Sequence, residues 1–139
     1  DVMEGDLGFQ RATLDDVLVQ ADYISLHVPL LDATRNMIST DELAKMKKTA
    51  YLLNCARGGI VDESALAHAV NNGIIAGAAA DVYAKEPTTA DSPLVQCAGI
   101  INTPHIGASS KEAQINCAVE AAKQVIAYFD QGQVINQVN

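Results

Sequence analysis

Residues 74–80, Ile74-Ile75-Ala76-Gly77-Ala78-Ala79-Ala80, contain no polar side chain. A strand with one wet face alternates apolar and polar residues. An unbroken run suits a strand covered on both faces, as in a parallel sheet. Parallel strands cannot be joined by hairpins, so such a sheet demands a crossover segment between each pair. The flanking chain supplies both strands and crossovers. Residues 22–28 read as a strand stopped by Pro29, which lacks the donor a ladder needs. Residues 50–54 and 99–102 read as two more.

Helix signals fall between these strands. Thr13 caps a short helix, with Asp15 and Asp16 in its first turn and Leu14, Val17 and Leu18 facing inward. Ser39 or Thr40 opens a second, with Asp41 and Glu42 near its start and Lys45, Lys47 and Lys48 near its end, which suits the helix dipole. Asp62 caps a third that sets Ala65, Leu66, Ala69 and Val70 on one face, and Asn72-Gly73 stops it. Ser109, with Glu112 three residues on, signals a capping box for a long last helix. Apolar residues at 113, 117, 118, 121, 122, 125, 126 and 129 give that helix an inward face, and Gly132 closes it. Residues 1–12 read as loop with a short strand near Phe9. The alternation predicts an α/β fold: a parallel sheet of about four strands with right-handed crossovers, flanking helices and a long C-terminal helix.

The balance of residues narrows the function. With 49% hydrophobic and 19% charged residues, the 139-residue chain can bury a core and is not of the disordered class. Nine basic against 17 acidic residues, a net charge of -8, offers nucleic acid no electrostatic footprint. No apolar stretch approaches the ~18 residues of a membrane span, and the first residues lack the basic-then-apolar pattern of a signal peptide. Cys55, Cys97 and Cys117 are odd in number and form no Cys-x-x-Cys, which argues against a disulfide framework and against a metal site. They read as reduced thiols of a cytoplasmic protein, with Cys55 a small residue packed at a tight turn.

Open parallel sheets bind ligands beyond the carboxyl ends of their strands. The first strand ends at His27-Val28-Pro29, and the second at Asn54, followed by Arg57 in a glycine turn. The third ends at Asp81 and leads to Glu86, and the fourth at Asn102, followed by His105. A buried strand end is a costly place for an arginine unless it meets an anion. Arginine clamps carboxylates and polarises carbonyls, histidine exchanges protons near neutral pH, and a carboxylate beside histidine orients the ring. Together they suit interconversion of 2-hydroxy and 2-keto acids, with the hydride exchanged through a cofactor. Singly, each has a plainer reading: His105 structural after its Thr-Pro turn, Glu86 a surface loop residue, Asp81 a strand cap, Arg57 a helix-end partner. His27 and His68 read as structural, one in a strand and the other on an exposed helix face.

Several long motifs go further. They are Ala21-Asp22-Tyr23-Ile24-Ser25-Leu26-His27-Val28-Pro29-Leu30, Asn54-Cys55-Ala56-Arg57-Gly58-Gly59-Ile60-Val61-Asp62-Glu63, Ala76-Gly77-Ala78-Ala79-Ala80-Asp81-Val82-Tyr83, Glu86-Pro87, and Thr103-Pro104-His105-Ile106-Gly107-Ala108-Ser109-Ser110. In this order and spacing the chain resembles the D-isomer-specific 2-hydroxyacid dehydrogenase family, in its phosphoglycerate dehydrogenase branch, from about residue 14 to 139. The resemblance implies a partial Rossmann-like sheet and NAD as cofactor. It implies Arg57 on the substrate carboxylate, His105 as acid/base, Glu86 as its carboxylate partner, and Asp81 on the nicotinamide carboxamide. It also implies Val28, Cys55, Ala56, Gly107 and Ala108, with Arg57 and His105, along the cofactor. The implied reaction is oxidation of 3-phosphoglycerate to 3-phosphohydroxypyruvate, at the entry to serine synthesis. The implied partners are a small-molecule substrate and, in the full-length protein, further copies of the chain, with no nucleic acid or membrane.

One departure stands out. The family's Gly-x-Gly-x-x-Gly loop is absent, and no two glycines are separated by a single residue. The chain therefore reads as the later part of an enzyme. Residues 1–108 are expected to form the second half of an NAD-binding domain, and residues 109–139 a helix and tail returning toward a substrate domain. By itself such a piece is expected to be inactive. The competing expectation is a corepressor-type, dinucleotide-sensing binding module of the same fold.

Overall fold

Thr13 turns the chain into its first helix. Its hydroxyl accepts the Asp16 N–H at 3.2 Å, and the Asp16 carboxylate accepts the Thr13 N–H at 3.3 Å. In this computed structural model, which describes residues 10–107 and 109–136, the helix is α1 (Leu14–Gln20). Leu18 is fully buried, but Leu14 remains 40% exposed. Helical side chains lean toward the N-terminus, so one in the first residue hangs past the covered turn. The short strand expected near Phe9 lies outside the described residues.

There follow β1 (Tyr23–Leu26), α2 (Thr40–Lys45), β2 (Tyr51–Asn54), α3 (Glu63–Asn71), β3 (Gly77–Ala80), α4 (Pro93–Gln96) and β4 (Ile100–Asn102). The four strands are parallel, in the order β1-β2-β3-β4. The caps work as the sequence predicts. The Glu42 carboxylate accepts the Ser39 N–H at 3.0 Å, and Asp62 accepts the Ala65 N–H at 3.0 Å. Helix α2 ends at Lys45, so Lys47 and Lys48 lie beyond its last turn.

The run at residues 74–80 is only partly a strand. Gly73 takes φ +64° at the end of α3, and residues 74–76 bend before β3 begins. Ile75 drops into the core there, and the Ala76 N–H donates to the Ala50 carbonyl at 2.9 Å. Helix α4 was not anticipated, although Ser92 followed by Pro93 is a start signal.

Burial alternates along β1 and β2. Ile24, Leu26, Leu52, Ala78, Ala80 and Ile100 share one core cluster with Leu18, Leu43, Leu66, Ala69 and Leu94 of the four helices. Each fully buried aliphatic side chain contributes roughly 1.5–3 kcal/mol. On the other face Tyr23 and Tyr51 stack with centroids 5.5 Å apart, and Ile101 is 72% exposed. Among the described residues of the first unit, 10–105, the sheet is thus covered on one face, rather than on both as residues 74–80 suggest.

The register matters most for function. Leu26, Asn54, Ala80 and Asn102 form one row across the sheet, and they are the last residues of the four strands. All four following loops therefore leave the sheet at one level.

Residues 106–139 form a second unit. Its element is α5 (Lys111–Gln131). Ser110, not Ser109, is the cap and accepts the Ala113 N–H at 3.1 Å. The Ser109 hydroxyl instead faces the Gly107 carbonyl at 3.4 Å. Gly132 closes the helix at φ +64°. The stripe read as inward-facing is uncovered: no α5 residue is buried, and Phe129 is 78% exposed.

Candidate active site

The loop after β2 is built around Asn54. Its side-chain amide donates to the Arg57 carbonyl at 3.1 Å, and its side-chain oxygen accepts the Ala56 N–H at 3.2 Å. One buried side chain thus bridges the whole turn, a role the sequence reading missed. Its only outward signal is a polar residue ending an apolar strand. Gly58 presses this turn onto the loop after β3, since a Cβ there would lie 1.8 Å from the Tyr83 carbonyl oxygen. The Ala84 N–H of that loop donates to Glu63 at 2.6 Å, at the start of α3.

Arg57 is exposed, contrary to the burial expected at a strand end. Its Nη1 donates to the neighbouring Ala56 carbonyl at 2.7 Å, and among the described residues no carboxylate pairs with it. A guanidinium tethered at one nitrogen retains donors for an external anion. It lines a cleft of about 510 Å³ with His27, Val28, Pro29, Leu30, Cys55 and Ala56. Val28, Cys55 and Ala56 line this cleft together, although Cys55 is exposed rather than packed away. His27 is no strand residue: it lies one beyond β1, bonds Ser25 Oγ at 2.9 Å and lines the same cleft.

Glu86 and His105 meet directly. Glu86 Oε2 is 2.6 Å from His105 Nδ1, and Glu86 Oε1 accepts the Tyr83 N–H at 2.9 Å. The bond to His105, and then that from Tyr83, hold the Glu86 carboxyl below its ordinary value. Glu86 is therefore an acceptor, Nδ1 must carry a proton, and Nε2 is the nitrogen at which the ring can exchange one. His105 adopts φ +54°, in the left-handed region, and its N–H donates to the Thr103 carbonyl at 3.1 Å. The Glu86–Pro87 peptide is cis. The pair lines a second cleft of about 410 Å³ with Tyr83, Pro87, Thr88 and Pro104. Arg57 thus lies in one cleft and the Glu86–His105 pair in another. No hydrogen bond joins them among the described residues, and the Gly58–Tyr83 packing links their loops.

Asp81 is 6% exposed at the end of β3 and accepts the Thr103 hydroxyl at 2.5 Å. Tyr83, nearly buried, donates its hydroxyl to the Thr103 carbonyl at 2.8 Å. Burial first, then the charges of Asp81, Glu63 and Glu86, raise the phenol above its ordinary value, so the hydroxyl stays a donor. Gly107 belongs to the second unit and is exposed, and Ala108 lies outside the described residues. His68 sits on the exposed side of α3, as expected, 3.2 Å from Asn72 Nδ2. Among the described residues, no helix is long and apolar enough to cross a membrane.

Arg57 and His27 bring polar groups to a cleft otherwise walled by Val28, Pro29, Leu30, Cys55 and Ala56, a mixture that suits a small polar molecule such as part of a dinucleotide. Asp81 lines neither this cleft nor that of Glu86 and His105. The backbone cradle for a pyrophosphate is not among these residues, since the sequence has no Gly-x-Gly-x-x-Gly.

Comparison with known proteins agrees. Residues 2–107 match the family described as D-isomer specific 2-hydroxyacid dehydrogenase, NAD binding domain. A D-3-phosphoglycerate dehydrogenase of Bacillus subtilis is 43% identical over 96% of the chain and 25% of its own length. A glyoxylate reductase of Aeropyrum pernix is 41% identical over 95% of the chain and 39% of its own. The NAD-complexed D-isomer specific 2-hydroxyacid dehydrogenase of Lactobacillus delbrueckii ssp. bulgaricus superposes with a TM-score of 0.73 and 35% identity, covering 92% of this chain and 43% of that one. The chain therefore spans between a quarter and about two-fifths of these proteins. By its sequence match, and with the parallel sheet described above, it belongs to the D-isomer specific 2-hydroxyacid dehydrogenase family, in its NAD-binding domain.

Proposed function

We propose that this chain is part of an enzyme that oxidises a D-2-hydroxy acid, 3-phosphoglycerate to 3-phosphohydroxypyruvate, at the entry to serine synthesis. NAD, when bound, supplies the two-electron acceptor that takes the hydride from the substrate's C2. The observation that carries the reading is the 2.6 Å contact of Glu86 with His105 Nδ1, which leaves Nε2 for chemistry. Nε2 takes the hydroxyl proton as the C2 carbonyl forms, and Glu86 keeps Nδ1 protonated and the ring oriented. Arg57 holds the substrate carboxylate through its remaining donors, which fixes C2 relative to the imidazole. Asp81 would hold the nicotinamide carboxamide, and Val28, Cys55 and Ala56 would flank the cofactor.

Residues 1–108 serve as the second half of the NAD-binding domain, and 109–139 as the helix and tail returning toward the substrate domain. The full-length enzyme works as a homo-oligomer, and three unpaired cysteines support a reducing compartment, the cytoplasm. The similarity to phosphoglycerate dehydrogenases favours 3-phosphoglycerate, while the glyoxylate reductase relative makes glycolate the competitor to test. Full-length enzyme assayed with NAD should show kcat/KM for 3-phosphoglycerate at least about 100-fold above that for glycolate, the selectivity that a site pairing with the phosphate supplies. The reverse preference would replace the substrate and keep the chemistry.

A further inference from the structure

Glu63 is the first residue of α3, yet it bonds outside its own helix. Its carboxylate accepts the Ala84 N–H at 2.6 Å, 21 residues away in sequence. The preceding N–H, that of Tyr83, donates to Glu86 at 2.9 Å. Two consecutive N–H groups of the loop after β3 are thus held by two carboxylates, one from α3 and one from the loop itself. The Tyr83–Ala84 peptide between them rests on Gly58, where a Cβ would lie 1.8 Å from the Tyr83 oxygen and 2.7 Å from the Ala84 nitrogen. Gly58 follows Arg57 directly, and Glu63 comes soon after. One short segment therefore carries the Arg57 turn and also fixes the peptide from which Glu86 is hung. Glu63 lines neither the cleft of Arg57 nor that of the Glu86–His105 pair. It faces a third cleft, with Ala84, Lys85 and Asp91.

We propose that Glu63 is a positioning residue, whose bond to the Ala84 N–H holds the loop after β3 where Glu86 reaches His105 Nδ1. The inference rests on the roles given above to Glu86 and His105. Glu86 spends one oxygen on Tyr83 and the other on the imidazole, at 2.6 Å. A shift of the Tyr83–Ala84 peptide pulls on the first oxygen and draws the second away from the ring. Small displacements of an orienting group are costly to turnover even when they begin away from the reacting atoms. The bond to Ala84 needs an acceptor oxygen and not a charge, so a glutamine side chain can replace it. Alanine cannot.

The test uses full-length enzyme carrying Glu63→Gln, Glu63→Ala and, should alanine not fold, Glu63→Ser. Each is made in wild type and beside Glu86→Gln. Steady-state kinetics are measured with NAD and whichever of 3-phosphoglycerate and glycolate the wild type prefers, and NAD is titrated separately. Glu63→Ala should lower kcat about tenfold, with KM and the NAD dissociation constant within about twofold of wild type. Glu63→Gln should keep kcat within about twofold. Beside Glu86→Gln, the alanine variant should cost less than about twofold more, because the group it positions is already lost. A kcat unchanged by alanine, a glutamine variant as slow as alanine, a KM or NAD constant that rises as much as kcat falls, or an equal loss on both backgrounds would each overturn the assignment to Glu63. If Glu86→Gln alone leaves kcat at the wild-type value, the reading of the Glu86–His105 pair fails and the proposal falls with it.

Discussion

Glu86 uses both carboxylate oxygens locally, one on the Tyr83 N–H and one on His105 Nδ1. Its pKa is lowered by those bonds, so the stabilisation they give is complete above the ordinary carboxylate range and drains away as pH falls through the lowered folded value. Denaturant melts of full-length wild type and Glu86→Gln should therefore differ most at neutral pH and converge in acid. A gap that widens on acidification would contradict this sign. Arg57 behaves differently, because its tether to Ala56 is short and local. Arg57→Ala should leave folding and NAD affinity within about twofold of wild type and lower kcat/KM for the hydroxy acid by about 10²–10³, the loss of a charge-assisted clamp. Steady-state kinetics beside NAD titration separates the two effects. At this scale the sequence was legible where polar residues follow neighbouring strands closely, as with Glu86 and His105, which meet at 2.6 Å. It was illegible where one buried group serves distant segments. Asn54 spans its own turn, and Tyr83 reaches Thr103 across 20 residues, and no spacing rule announces either.

The elements explain why these residues meet. Four strand ends in one row launch four loops at one level, and Gly58 lets two of those loops touch. Gly58→Ala places a methyl group against the Tyr83 carbonyl, so the turn must move. The expected cost is about 2 kcal/mol or more in stability, with kcat/KM falling further than in a surface control, because the loops of Arg57 and Glu86 shift apart. Melting temperature and kinetics of the full-length variant check both. Helix starts were readable because capping is a bond between near neighbours, as at Thr13, Ser39 and Asp62. Adjacent serines at 109 and 110 defeat the same reasoning, since either can cap and only backbone geometry chooses. Strand lengths were overread at residues 74–76, because periodicity does not distinguish an apolar bend that fills the core from a strand that crosses it.

At the scale of the molecule, two apolar surfaces have no cover among the described residues of their own units. One is the sheet face of Tyr23, Tyr51 and Ile101, and the other the α5 stripe with Val125, Ile126 and Phe129. The sequence placed the stripe but could not say what meets it, since amphipathicity records a face and not its partner. The 139-residue chain by itself should bind an apolar dye and self-associate, as expected of exposed patches of this kind. It should also bind NAD far more weakly than the full-length enzyme and fail to turn over substrate, because it carries no Gly-x-Gly-x-x-Gly to cradle a pyrophosphate. Turnover by that chain would show that its own residues suffice for the reaction. The central claim, that His105 oriented by Glu86 exchanges the substrate proton, is tested most directly by comparing full-length wild type with His105→Gln on 3-phosphoglycerate and NAD. The kcat of His105→Gln should fall by about 10²–10⁴ with NAD affinity held within about twofold, and a variant retaining more than about a tenth of wild-type turnover would contradict that role for His105.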